Sequence, residues 1–138
     1  MKINKIVKEI KDRDGNLRFR RFAILESKYL NIYIHTFWYP EKDLFLHDHP
    51  WNFFSLILNG GYIEKTKKGN NSKIVGSYGF YKANHLHQIL QISDCEEFTR
   101  TLVITGKRRR EWGYEKKDGS WISHKEYRET YTRDKREI

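Results

Sequence analysis

The stretch Leu46-His47-Asp48-His49-Pro50-Trp51-Asn52-Phe53-Phe54-Ser55-Leu56-Ile57-Leu58-Asn59-Gly60-Gly61 places two histidines one residue apart and follows them with a run of strand-forming side chains. On a strand, residues i and i+2 project to the same face. His47 and His49 therefore aim at one point, and Asp48 points away from them. Pro50 disfavours helix at His49 and keeps the pair extended. Residues 53–58 are apolar and aromatic, as strands prefer, and Asn59-Gly60-Gly61 supplies a turn that stops them.

The same grammar runs outward in both directions. Residues 3–10 mix apolar and basic side chains, and Asp12-Arg13-Asp14-Gly15-Asn16 is turn chemistry. Residues 17–25 alternate, with Leu17 and Phe19 against Arg18 and Arg20, which is the period of a strand. Residues 29–39 are almost continuously apolar, as a strand buried on both faces would be, and Pro40 ends them. Further short strands are expected at 62–67, 73–75, 79–82, 86–92, 98–105 and 112–116, with a hairpin turn at Lys68-Gly69-Asn70-Asn71 and another at Asp118-Gly119. Only residues 123–131 read as a helix. Ser123 can cap it, and Glu126 stands three residues on, the spacing of a capping box. About ten short strands and one late helix indicate an all-β sandwich or barrel. The length suits one domain over residues 1–131, with a charged tail at 132–138.

Six histidines occur: His35, His47, His49, His85, His87 and His124. Four of them form two His-x-His pairs on separate β segments. Neutral imidazoles brought together suit a divalent transition metal, at about 2.0–2.1 Å for zinc. Three such ligands on one side leave positions open for water or substrate. A lone His-x-His is also common as a surface pair, so the doubling is what carries weight.

These residues resemble the cupin family, small β-barrels with a double-stranded β-helix or jelly-roll fold. The first cupin motif, Gly-x5-His-x-His-x(3 or 4)-Glu-x6-Gly, finds His47, His49 and Gly60 at its spacing. Phe53 stands where many cupins carry a glutamate ligand, and Glu41 stands in place of the leading glycine. In the second motif, Gly76 and His87 keep the residue type, and Lys82, Asn84 and Gln91 replace the others. Asn84 can still adopt the left-handed backbone that a glycine supplies. The motifs cover residues 41–91. The resemblance implies a jelly-roll barrel with a short C-terminal helix and the metal ligands His47, His49 and His87, holding Fe, Mn, Zn or Ni. A set of three histidines is similar to that of cysteine-type thiol dioxygenases. Asp48 or Glu64 could still contribute a carboxylate, though Asp48 should point away from the face of its neighbours and Glu64 lies on a following strand.

The resemblance suggests a metal-dependent enzyme, with oxygenation the first reaction to consider. His35, Tyr81 and His85 are candidates for substrate contact or proton transfer, and Trp51 for a wall of the pocket. The net charge of +9 fits a well-hydrated surface, an anionic small molecule or nucleic acid. If the 98–105 strand continues through residues 107–110, Arg108 and Arg110 share one face and can clamp an anion. Two other readings remain open: a non-catalytic barrel holding a nucleotide or sugar, and a basic surface for nucleic acid. Barrel edges leave room for a homodimer. Cys95 lies beside Asp94, Glu96 and Glu97, which disfavours a reactive thiolate. No apolar run approaches the ~20 residues of a membrane span. The chain reads as a soluble protein of the cytoplasm.

Overall fold

Alternating side chains fold the chain into antiparallel strands in a computed structural model, which describes residues 1–92 and 97–131. Cys95 and the tail at 132–138 lie outside the described residues. Two long strands, β1 (Lys2–Lys11) and β2 (Leu17–Glu26), open the chain. Between them the Asp12 carboxylate accepts from the amides of Asp14 at 2.9 Å and Asn16 at 2.8 Å and closes the turn. Then come β3 (Asn31–Phe37), β4 (Leu46–His47), β5 (Phe53–Asn59), β6 (Gly61–Thr66), β7 (Gly69–Ile74) and β8 (Tyr78–Tyr81). The last elements are β9 (Gln88–Ile92), β10 (Thr99–Thr105), β11 (Gly113–Glu115), β12 (Trp121–Ser123) and the helix α1 (His124–Thr130).

One layer is a six-stranded sheet in the order β1-β2-β3-β10-β5-β8. Two three-stranded sheets, β12-β11-β4 and β7-β6-β9, form the rest. A single antiparallel bridge, His47 to His87, joins them, with both amides donating to the opposite carbonyl at 3.0 Å. Through that bridge the short sheets run on as a second layer, β12-β11-β4-β9-β6-β7. The histidines thus sit on the seam that completes the layer.

Phe37 and Ile57 of the first layer pack on Tyr62 and Ile89 of the second, so the two layers face each other. A second cluster gathers Ala23, Tyr33, Phe53 and Val103, with Val7, Trp51 and Tyr81 at its margin. A third lies under the helix: Tyr127 stacks on Tyr114 at 4.0 Å and packs with Ile122. Each such large buried side chain is worth about 1.5–3 kcal/mol over leaving it in water. The Ser123 hydroxyl accepts from the Glu126 amide at 3.1 Å and starts α1 as its sequence suggests. Gly60 closes β5 onto β6 at φ +75°, where a Cβ would also strike Thr99 Oγ1 and the Phe98 carbonyl.

Four expectations shift. β3 is shorter than the 29–39 run and is buried mainly at Asn31, Tyr33, Thr36 and Phe37. The hairpin turn falls at residues 67–68, and Gly69, Asn70 and Asn71 already pair with β6. Asn84 does not take left-handed backbone; among the described non-glycine residues only Asn4 does, at φ 51°. The strand β10 stops at Thr105, so residues 107–110 form a loop and the shared face expected of Arg108 and Arg110 is lost.

Candidate metal centre

His47 and His87 face each other across the bridge, and β11 holds the other side of β4 through Tyr114. His49 is fixed one step on, its amide donating to the Ala83 carbonyl at 2.9 Å. These three backbone ties aim the rings at one point. The ring centroids lie 5.1 Å apart for His47 and His49, 4.8 Å for His47 and His87, and 4.8 Å for His49 and His87. The candidate donor atoms of the three all fall within 4.8 Å of one another. His49 Nε2 stands 3.0 Å from His87 Nε2.

What stands behind each imidazole decides which nitrogen faces inward. His87 Nδ1 lies 2.6 Å from Glu64 Oε2, so Nδ1 carries the proton and donates, and the Nε2 lone pair points inward at His49. His47 Nδ1 lies 3.5 Å from Glu41 Oε2, close enough for electrostatic attraction but not hydrogen-bonded. The Glu41 side chain is itself anchored, its Oε1 accepting from the Ile89 amide at 3.0 Å. His49 Nδ1 is buried with no partner. Support from behind therefore falls from His87 to His47 to His49.

Burial holds all three imidazoles below their ordinary value, which keeps them neutral and their lone pairs available. In His87 the Glu64 hydrogen bond pulls the other way without reversing the direction. Burial works to raise the Glu64 carboxyl, but hydrogen bonds from His85 and His87 outweigh it and hold the group well below the usual carboxylate range. Glu41 is raised, by burial first.

These donors fit a divalent metal. Two nitrogens bound to one ion at about 2.1 Å stand about 3.0–3.4 Å apart, depending on the angle between them. The His49–His87 separation meets that range, and a metal would take the place of the N–H···N contact that the two rings make at 3.0 Å. The fourth place, where a carboxylate ligand would enter, is filled by Phe53, whose ring lies 4.4 Å from His49. Glu64 serves from behind His87. Asp48 is turned away as its alternation requires: it accepts from Gly113 N at 2.6 Å and Trp121 Nε1 at 2.9 Å, and pairs with Arg110 at 2.8 Å.

The remaining candidates divide into two groups. Tyr81 and His85 lie beside the trio: the Tyr81 ring is 4.7 Å from His85, and His85 is 5.0 Å from His87. Lys73 Nζ donates to Tyr81 Oη at 3.3 Å and approaches Glu64 at 4.0 Å. His35 has other neighbours. Its Nε2 accepts from Arg21 Nε at 3.0 Å, so the one acceptor lone pair of the neutral ring is already taken, and the ring stacks on Tyr33 at 5.8 Å. Trp51 stands with the His35 group, 6.0 Å from Tyr33 and 5.9 Å from the Arg21 guanidinium carbon. Arg108 is exposed on its loop, and Arg110 is tied to Asp48. His124 stacks on Trp112 at 4.6 Å, away from the trio.

Sequence reading missed the carboxylate behind His47. Its one signal was Glu41 standing where the motif has glycine. Arg21 carried no signal beyond its place in an alternating basic strand.

Among solved structures the chain is similar to the polyketide cyclase RemF from Streptomyces resistomycificus, at 14% identity over 97% of this chain and 90% of that one, TM-score 0.61. A protein of unknown function with a cupin-like fold from Ralstonia eutropha JMP134 matches at 17% identity, over 88% of this chain and 76% of that one, TM-score 0.60. Fe(II) HppE matches at 15% identity over 71% of this chain, TM-score 0.55, and the match spans 55% of that chain. No protein-family model and no curated protein matches. At these identities the likeness establishes a cupin fold and leaves the chemistry to the residues.

Proposed function

We propose that the chain is a metal-dependent enzyme of the cupin type acting on a small anionic molecule. His47, His49 and His87 would hold Fe, Mn, Zn or Ni. The observation that carries this reading is the 3.0 Å approach of His49 and His87 Nε2, with Glu64 fixing the His87 tautomer from behind. Buried, neutral and backed by a carboxylate, His87 is built to donate a lone pair rather than to titrate.

A bound metal would polarise a substrate oxygen or bind O2 beside it. The protein residues supply the setting. Phe53 brings no charge where a carboxylate would stand, so a three-imidazole site stays more electrophilic. Phe53 and Tyr81, stacked at 5.1 Å, exclude water on one side. His85, a quarter exposed and 3.5 Å from Glu64, would contact the substrate or transfer a proton. Oxygenation is the finer reading, and it rests on the resemblance to three-histidine thiol dioxygenases; Fe(II) HppE adds only an iron protein of similar fold.

Elemental analysis of the protein as purified, before any chelator, tests the proposal. One transition-metal ion per chain is expected. A metal-free protein that co-purifies with an organic ligand would favour the non-catalytic binding barrel instead.

A further inference from the structure

Neighbouring arginines on β2 are treated in opposite ways. Arg20, on the outer face, stands across from Glu9 and pairs with it at 2.8 Å. Arg21, on the inner face, stands across from Lys8. Like charges directly opposite on adjacent strands are destabilising. Neither Lys8 nor Arg21 has an ion pair among the described residues.

The pairing is built rather than incidental. The register of β1 against β2 slips between Ile6 and Lys8, which makes Val7 an extra residue. Without that bulge the alternation would turn Lys8 outward, and bulges of this kind re-aim side chains beside functional sites. With it, Lys8, Arg21, His35 and Thr101 form one row across β1, β2, β3 and β10.

The guanidinium is held for use. Its Nε is spent on His35, and its Cζ lies 4.8 Å from the centre of the Tyr33 ring and 5.9 Å from that of Trp51. That leaves the terminal nitrogens, the fork that matches a carboxylate or phosphate. Trp51 follows His49 by two residues, so the arginine adjoins the segment that carries the metal ligands. Lys8 keeps solvent access, yet the protein around it, then the Arg21 and Arg128 charges, hold its ammonium below its ordinary value against the opposing pull of Asp43 and Glu41.

We infer that Lys8 and Arg21 form an oxyanion subsite on the inner face of the six-stranded sheet, seating the carboxylate or phosphate of a small molecule. Calling that molecule the substrate rests on the function proposed above; the subsite itself needs no metal.

Inorganic phosphate and succinate are titrated into the purified full chain by calorimetry, at constant ionic strength set with chloride. Lys8→Met, Arg21→Lys, Arg21→Met and Arg20→Met are compared, with metal content read on the same samples. Wild type and Arg20→Met are expected to bind at least one of the two anions with equal affinity. Lys8→Met and Arg21→Met should bind about tenfold more weakly or worse, as the loss of a charge-assisted hydrogen bond implies. Arg21→Lys should fall between, having charge without the fork. Binding of phosphate alone assigns a phosphate ester, and of succinate alone a carboxylic acid. If Arg21→Met fails to fold, Lys8→Met decides. The inference is overturned if wild type binds neither anion above chloride, or if Lys8→Met and the folded Arg21 variants match wild type. Protein without metal that still binds anion through Lys8 and Arg21 would end the metal reading and leave this one standing.

Discussion

Two imidazoles in this barrel, buried His87 and half-buried His35, have partners of opposite charge. His87 donates Nδ1–H to the Glu64 carboxylate at 2.6 Å, and His35 accepts at Nε2 from the Arg21 guanidinium at 3.0 Å. Burial holds both below the ordinary histidine value. The partner then separates them. A carboxylate behind the ring enriches its inward lone pair and suits it to hold a metal. A guanidinium consumes a lone pair and opposes both a proton and a cation. Burial alone says little about what a histidine does; the charge behind it says more.

The largest test of that contrast is metal content. His49→Ala and His87→Ala are expected to purify with no bound ion, while His35→Gln, whose amide can still accept from Arg21, keeps a full complement by elemental analysis. Metal lost equally from His35→Gln would erase the distinction.

Next in size is the carboxylate. Glu64→Gln should weaken metal affinity by about 10- to 100-fold in a competition with a chromogenic chelator, the usual cost of losing an outer partner of a ligating histidine. Glu41→Gln should cost less in the same assay, because its carboxylate stands 3.5 Å from His47 without hydrogen-bond geometry. Equal losses would mean that distance does not rank the two.

A smaller effect is expected in acid. The folded value of His35 lies below its unfolded value, so above about pH 6.5 the residue is neutral in both states and adds no pH dependence. Below it the unfolded chain takes up a proton that the folded chain refuses. The stability present above pH 6.5 is therefore lost as pH falls toward the folded value, by at most about 1.4 kcal/mol per pH unit for this one group. Urea melts of wild type and His35→Gln between pH 7.5 and 5 should converge on lowering the pH by that slope. Parallel curves would show that His35 is protonated in the folded barrel.

Much of the site was legible because its rules are local. The i, i+2 spacing put His47 and His49 on one face and turned Asp48 away, and the Ser123–Glu126 cap announced α1. Elsewhere the local rule was correct and the long-range arrangement decided otherwise. Arg108 and Arg110 were aligned on the premise that β10 runs on, but pairing ends at Thr105, and Arg110 goes instead to Asp48 across the fold. Glu64 was weighed as a ligand, which needs only a face; its place behind His87 depends on the register of β6 against β9. Lys8 was hidden by one extra residue at Val7, which inverts the alternation that sequence reading relies on.

By itself the sequence determined the elements: which segments extend, where they turn, and which histidines share a strand face. Those follow from backbone sterics and a period of two, which act over a few residues. The tertiary structure alone decided the partners, since the bridge from His47 to His87, the carboxylate behind it and the row from Lys8 to Thr101 join residues distant in the chain. Electrostatics and hydrogen bonds act through space, and only the register of one strand against another fixes which charges meet.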